Sequence, residues 1–323
     1  MKPPPALLAE VVRNGFVESR HFGSVSVVAG DGVDLLGVGD VSATMFARSA
    51  LKPLQLVAML RAGLDQYRWE PELLALMASS HSGQSVHIAG VQRILARVGL
   101  VQTDLSNTPA LPMDPAARAA LRSTGVTEKA AIYADCSGKH AAMLATCVAN
   151  DWPTGGYLEP AHPLQQAVRA VVAEFTADDV EHVGVDGCGA ALFSCTTRGL
   201  AFAYARYATA DISSWEGQVA AAMRSHPVMV AGHGRDVTSA MQAVPGLLAK
   251  DGAEGVLAAA VISAEHGPLG IAIKIGDGAA RPRAVVLAAV LHRLGVLDSP
   301  ADWAESPVLG GGRVVGHIQS AFR

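Results

Sequence analysis

Arg48-Ser49-Ala50-Leu51-Lys52-Pro53 is the stretch at which the chain changes character, from strand-like to helical. Residues three apart on a helix share a face, so the Ser49 hydroxyl and the Lys52 amine are expected to meet. Proline is tolerated only in the first turn of a helix. Pro53 therefore places the helix start at residues 49–51, with Ser49 at the positive end of the dipole, where an oxyanion is favoured. Leu54, Leu56, Val57 and Leu60 supply the face that buries the rest. A serine needs a base before it attacks an amide, and a lysine serves when burial and a second cation drive off its proton. The same residues, taken alone, also read as a capping serine and a surface lysine.

Working outward, Val11, Val12 and Val17 flank Asn14-Gly15, a hairpin signal. Asp31-Gly32 turns a second valine run, 25–28, into a third strand over 33–38. Downstream, helical spacing of apolar residues predicts helices over 51–62, 71–78, 86–98, 115–124, 140–150, 163–174, 216–225 and 237–241. After Pro245 apolar runs bounded by Gly and Asp predict strands over 247–250, 255–261 and 270–275, then a helix over 284–294 against the sheet. Strands, helices, strands and a helix, without βα alternation, predict an α+β fold. One domain over 1–323 is expected, with an antiparallel sheet from about 8–45 and 245–323 and a helical lobe over about 46–244.

A net charge of -4 over 323 residues gives no basic footprint for nucleic acid and no polybasic membrane patch. No uncharged apolar run reaches the roughly 18 residues of a membrane span, and Met1-Lys2-Pro3-Pro4-Pro5 lacks an apolar signal core. A cytoplasmic protein is expected, and its four cysteines, Cys136, Cys147, Cys188 and Cys195, then read as thiols or metal ligands.

Four further stretches carry possible chemistry. Ser79-Ser80-His81-Ser82-Gly83 is either a site loop or a helix end closed by Gly83, with His81 capping carbonyls. Asp135-Cys136-Ser137-Gly138-Lys139-His140 sets two cationic side chains at a helix N-terminus, against the dipole, which asks for a ligand carboxylate or a metal. Asp186-Gly187-Cys188-Gly189 adds a second glycine-flanked cysteine, although the spacing from Cys136 matches no finger pattern. Lys250-Asp251-Gly252-Ala253-Glu254-Gly255 either presents an amine beside the serine helix or makes a bend at Asp251-Gly252.

Ser-x-x-Lys on a first helix with Lys-x-Gly on a late strand is the pattern of penicillin-binding proteins and β-lactamases. Taken together, these blocks resemble the thermolabile, rhizobial-type L-asparaginase family, distinct from the threonine-dependent enzymes. The resemblance runs through Val12-Arg13-Asn14-Gly15, the Ser49 stretch, Ser80-His81-Ser82-Gly83, Cys136-Ser137-Gly138-Lys139-His140, His162-Pro163-Leu164, Asp186-Gly187-Cys188-Gly189, residues 250–255 and residues 272–278. It implies a serine-β-lactamase-like fold and hydrolysis of L-asparagine to L-aspartate and ammonia by two Ser–Lys pairs. The pairs are Ser49 with Lys52, and Ser80 with Lys250, Lys274 being the rival. It also implies zinc on Cys136, Lys139 and Cys188, and a homodimer. Arg48 is the natural partner of a substrate carboxylate, Asp186 and Glu254 of its ammonium, with His81, His140 and Gly187 alongside. The chain departs from the family at Asp135, where Asn is common, and at Ala190-Ala191, where Val-Pro is usual. A glutaminase, a β-lactam-type acyl hydrolase, or a non-catalytic amino-acid or metal-binding relative are the alternatives.

Overall fold

The computed structural model describes residues 3–299 and 301–321; the expected domain limits at 1 and 323 lie outside them. Strands from the two ends of the chain form one sheet. Its members are β1 (Ala6–Arg13), β2 (Phe16–Ala29), β3 (Asp34–Val38), β7 (Leu248–Gly252), β8 (Val256–Ser263), β9 (Gly267–Ile275), β10 (Pro307–Gly310) and β11 (Arg313–Ser320). The order is β10-β11-β1-β2-β9-β8-β7, with β3 beside β2, and every pairing is antiparallel. Asn14 and Gly15 have φ of 47° and 80°, the left-handed pair that a two-residue hairpin with the strands' own twist demands. The fold class is α+β, as the segment order predicts.

A second, three-stranded sheet was not foreseen: β4 (Thr44–Phe46), β6 (Ala191–Thr196) and β5 (Val183–Val185), in that order. It takes β4 away from the main sheet and places strands inside the expected helical lobe, setting residue 48 beside residue 186.

The helices are α1 (Lys52–Arg61), α2 (Pro71–Met77), α3 (Ser85–Arg97), α4 (Pro115–Ser123), α5 (Ser137–Ala149), α6 (Pro163–Thr176), α7 (Thr197–Thr209), α8 (Trp215–Ser225), α9 (Pro227–Val230), α10 (Asp236–Ala243) and α11 (Arg283–Arg293). None of them is long and apolar enough to cross a membrane. Five begin on the prolines of their first turn, Pro53, Pro71, Pro115, Pro163 and Pro227, where the missing N–H costs nothing. α1 is buried from Lys52 to Leu60, packed among α5, α6 and α8.

α7 escaped the sequence reading because Arg198-Gly199 breaks the apolar pattern in its first turn. The Thr196 hydroxyl caps it by accepting the Gly199 N–H at 2.8 Å. It packs on β2, β8 and β9 so closely that a Cβ on Gly270 would fall 1.9 Å from the Ala201 carbonyl.

Candidate active site

A 3-10 turn over Arg48–Leu51 leads directly into α1. Arg48 has a φ of 54°, a left-handed conformation that costs a non-glycine residue about 1–3 kcal/mol and collects at functional sites. Two neighbours hold the turn. The buried Tyr204 hydroxyl of α7 donates to the Ala50 carbonyl at 2.8 Å, a support no sequence signal marked. On the other side the end of β7 presses in, where a Cβ on Gly252 would lie 2.5 Å from the Ala47 carbonyl oxygen and 3.3 Å from the Ala50 nitrogen. Glycine there lets strand and turn touch, and carries Lys250, two residues earlier, toward α1.

Lys52, Ser80 and Lys250 meet. The Lys52 amine donates to the Ser79 carbonyl at 2.6 Å and to the Ser80 hydroxyl at 2.9 Å. The Lys250 amine reaches the same hydroxyl at 2.9 Å, together with the Asp251 carbonyl and carboxylate, each at 2.7 Å. Lys52, Ser80 and Lys250 are 2%, 5% and 0% exposed, so this is a polar cluster inside the protein whose members must satisfy one another. Lys274 is not the partner of Ser80, since its amine donates to the Glu254 carbonyl. Lys250-Asp251-Gly252 is strand, not bend; the bend follows it, with Glu254 at a φ of 58° and Gly255 at 71°.

Burial lowers the Lys250 pKa to about 8, with Lys52 and Arg235 pressing the same way and Asp251 opposing. Burial alone would raise the Asp251 carboxyl, but Lys250, Arg235 and Arg283 outweigh it and hold the group well below the usual carboxylate range.

Ser49 departs from expectation. It is half-buried, and among the described residues no hydrogen bond joins its hydroxyl to Lys52. The buried Lys52 amine takes the buried acceptors open to it, here Ser79 and Ser80, while Ser49 faces partly outward and water can serve it. Next to it the Arg48 guanidinium donates to Asp186 at 2.7 Å, the two side chains being 22% and 14% exposed. Gly187 lies against the same guanidinium, and its carbonyl accepts from the Thr108 hydroxyl at 2.9 Å. Glu254 is exposed on the β7–β8 turn, its carboxylate over Gly278, and no ion pair ties it to Arg48.

The two histidines expected beside the substrate are fully buried in the structure. His81 is fully buried. Its Nδ1 accepts from the Gly83 N–H at 3.1 Å, its Nε2 bonds the Ser137 hydroxyl at 2.9 Å, and it stacks on His87. Burial, then His87 and Lys52, keep it neutral, its pKa well below the ordinary value. With both nitrogens committed it braces the Ser79–Gly83 loop against α5. His140, also fully buried, holds the Tyr157 hydroxyl on Nδ1 at 3.0 Å, and its Nε2 has no protein hydrogen bond. Burial first, then Lys139, bring it down to about 4.

That free nitrogen lies among thiols. One donor atom each from Cys136, His140 and Cys188 lies within 4.8 Å of the others, and the Lys139 amine is 3.2 Å from the Cys188 sulfur. The hydrogen bond from Cys136 makes Cys188 the thiolate of the pair, with Lys139 assisting, and the same bond with burial pushes the Cys136 thiol up. Burial disfavours charge on Lys139, but the two cysteines and Asp186 override it and raise its pKa. Two sulfurs, an imidazole nitrogen without a partner and an amine form a donor set suited to zinc, once the amine gives up its proton. Asp186 links the two clusters, one oxygen on Arg48 and the other 3.5 Å from the Cys188 sulfur.

Comparison with known proteins bears on the chain as a whole. No protein with a curated description matches the sequence. Among solved structures it is similar to Mglu, with 14% identity, a TM-score of 0.38, and 86% of this chain and 68% of that one covered. Against Mglu in its tris and glutamate form the values are 14%, 0.38, 91% and 64%. Against a Bacillus glutaminase in 4.3 M NaCl they are 13%, 0.38, 85% and 92%. Such scores pair no individual residues. The sequence model of L-asparaginase II, in contrast, matches residues 9–320, nearly the whole chain. The protein therefore belongs to the L-asparaginase II family.

Proposed function

We propose that this amidohydrolase converts L-asparagine to L-aspartate and ammonia through an acyl-enzyme on Ser49. The observation that carries the reading is the Ser80 hydroxyl, 2.9 Å from each of two buried lysine amines. Amide hydrolysis must take a proton from the nucleophile and give one to the departing nitrogen. A chain running Lys52, Ser80, Lys250 supplies both ends.

In the proposed sequence substrate binding brings the Ser49 hydroxyl to Lys52, which takes its proton as the oxygen bonds the side-chain amide carbon. Lys250 passes a proton through Ser80 to the amide nitrogen, the C–N bond breaks, and ammonia leaves an ester on Ser49. Water then attacks the ester, its proton going back along the same route, and aspartate leaves. The helix start near Ser49 is proposed to stabilise the developing oxyanion, a well-aimed donor being worth roughly 3 kcal/mol. Arg48 and Asp186 bond each other in the substrate-free protein. An amino acid's carboxylate and ammonium replace that pair, charge for charge. Ser49, Arg48 and Asp186 are the partly exposed members of the site, which supports substrate arriving from their side.

The same proposal places zinc on Cys136, Lys139 and Cys188, with His140 turned toward them. When bound, the ion supplies a fixed positive charge beside Asp186 and keeps both thiols deprotonated. A cytoplasmic homodimer belongs to the proposal on resemblance alone; sedimentation tests the dimer.

A second reading makes Ser80 the nucleophile, because it is the hydroxyl in contact with both amines; its burial opposes this. Ammonia release from asparagine, glutamine and a β-lactam, each with and without zinc, tests the function. Release from asparagine supports it, and no release from asparagine in either condition overturns it. Mass spectrometry of the acylated peptide decides between Ser49 and Ser80.

A further inference from the structure

The carboxylate beside Lys250 has no part in the chemistry so far. Asp251 is 6% exposed and lies in β7, yet it is held from two other elements. The Arg235 guanidinium, just before α10, donates to its second oxygen at 2.7 Å. Arg283 of α11 stands 3.7 Å from the same oxygen, bonds the Gly252 and Val256 carbonyls on either side of the β7–β8 turn, and lies 3.6 Å from Asp236. The first oxygen is left to Lys250 at 2.7 Å. The charged groups around the Lys250 amine are thus Asp251 on its own strand, Lys52 from α1 and Arg235 from the segment before α10. Lys52, in contrast, is bonded to a carbonyl and a hydroxyl and to no carboxylate. The two amines on Ser80 are unequal by construction.

We propose that Asp251, clamped by Arg235 and Arg283, is a positioning residue that keeps Lys250 protonated and aimed at Ser80, making Lys250 the acid of the pair and leaving Lys52 as the base. This rests on the proposed Ser–Lys chemistry and deepens it. Two ammonium groups could not take a proton from Ser49, so the two amines must differ in charge for one to act as base while the other holds a proton ready. One carboxylate, placed at one end, breaks the tie. Ser80 then accepts from Lys250 and is free to pass its own proton onward.

The test uses the full-length protein and two readouts. In Asp251→Asn, which keeps the shape and removes the charge, kcat for ammonia release falls with little change in KM. The alkaline limb of the pH–rate profile moves down by about 1–3 units, the range expected when a close opposite charge is lost. Asp251→Glu restores part of both. Arg235→Gln removes a cation near Lys250 and moves the limb the opposite way. A purely structural Asp251 would lower melting temperature and active fraction and leave the limb where it was; that outcome overturns the proposal. The second readout needs no substrate: nitrogen-15 NMR titration of the lysine amines, with Lys250→Met to assign the signal. If the Lys250 midpoint falls in Asp251→Asn while no amide is hydrolysed by the wild type, the clamp stands and the asparaginase reading fails. If the midpoint is unmoved, the clamp fails whatever the activity. Should Asp251→Asn not fold, the sign of the Arg235→Gln shift decides alone.

Discussion

Gly252→Ala adds one methyl group where β7 meets the Ser49 turn. The new Cβ would lie 2.5 Å from the Ala47 carbonyl oxygen, 3.1 Å from the Val256 Cβ and 3.3 Å from the Ala50 nitrogen. Real contacts of this kind stop near 3.0 Å, so strand and turn must part by at least about half an ångström, and by nearer 1 Å for comfortable packing. Gly252 is not among the left-handed glycines, so alanine brings no backbone strain and the effect is one of distance. Overpacking of this kind costs about 1–3 kcal/mol, and in a chain this size about 2–4 °C of melting temperature per kcal/mol. The reacting groups respond more steeply, because a shift of about 1 Å costs on the order of 100-fold in rate. The expected variant is therefore folded, melts several degrees lower, and releases ammonia from asparagine roughly 100-fold more slowly at saturation. Far-UV circular dichroism and a coupled ammonia assay check the two halves. A folded protein with wild-type kcat would refute the idea that the Ser49 turn must sit against β7, and with it Ser49 as the attacking group. Ser80 is fixed from elsewhere, its N–H on the Val230 carbonyl, and is not displaced by this change.

Other expectations follow from the same contacts. Ser49→Ala lowers kcat at least about 1000-fold, as loss of a nucleophile does, and leaves no acylated peptide. Lys250→Met is as damaging, whereas Lys274→Met, which loses a bond to the Glu254 carbonyl, keeps kcat within about tenfold; a reversal of that order would return Lys274 to the site. Lys250 titrates near 8 when folded and near 10.4 unfolded. Its folded pKa is the lower one, so the unfolded chain binds more protons between these values and stability rises with pH through that window. Urea unfolding of the wild type minus Lys250→Met isolates the rise, and a flat difference would show that Lys250 is not depressed. Cys136→Ser with Cys188→Ser removes both sulfurs of the donor set and reduces zinc bound in equilibrium dialysis by at least about tenfold; unchanged stoichiometry would place the metal elsewhere.

How much was legible depended on whether a property is local. The Asn14-Gly15 turn and the helix starts at Pro53, Pro71, Pro115 and Pro163 follow from backbone sterics within a few residues, and they lie where their residues put them. α7 was hidden because its burial comes from the sheet beneath it and not from its own apolar stripe. The small sheet was hidden because its strands are three to six residues long and β4 lies far from the other two in the chain. Within the site, Lys250 beside Ser80 followed from a family pattern, whereas the split of the two histidines did not. Whether an imidazole nitrogen ends up on Ser137 or among two sulfurs depends on which helix packs beneath it. Asp251 read as a turn residue because Asp-Gly usually turns. Lys250 beside it, with Arg235 and Arg283 from 16 and 32 positions away, makes a buried carboxylate tolerable in a strand.

The chain's layout answers a requirement of the proposed reaction. A base must be neutral and an acid charged at the same pH, although both are lysines within reach of one hydroxyl. Sequence alone cannot make two lysines differ; surroundings can. Placing Lys52 on the inner helix gives it acceptors of no net charge, Ser79 and Ser80. Placing Lys250 on β7, at the end of the sheet order, puts it where α10 and α11 can approach and anchor a carboxylate. The α+β arrangement thus supplies one amine from each of two electrostatic environments. The proposed substrate-binding pair, Arg48 with Asp186, sits on the small sheet's connections and stays independent of that asymmetry. Binding and proton transfer can then be altered separately: substitutions at Arg48 or Asp186 fall first on KM, those at Asp251 or Arg235 on the pH dependence of kcat.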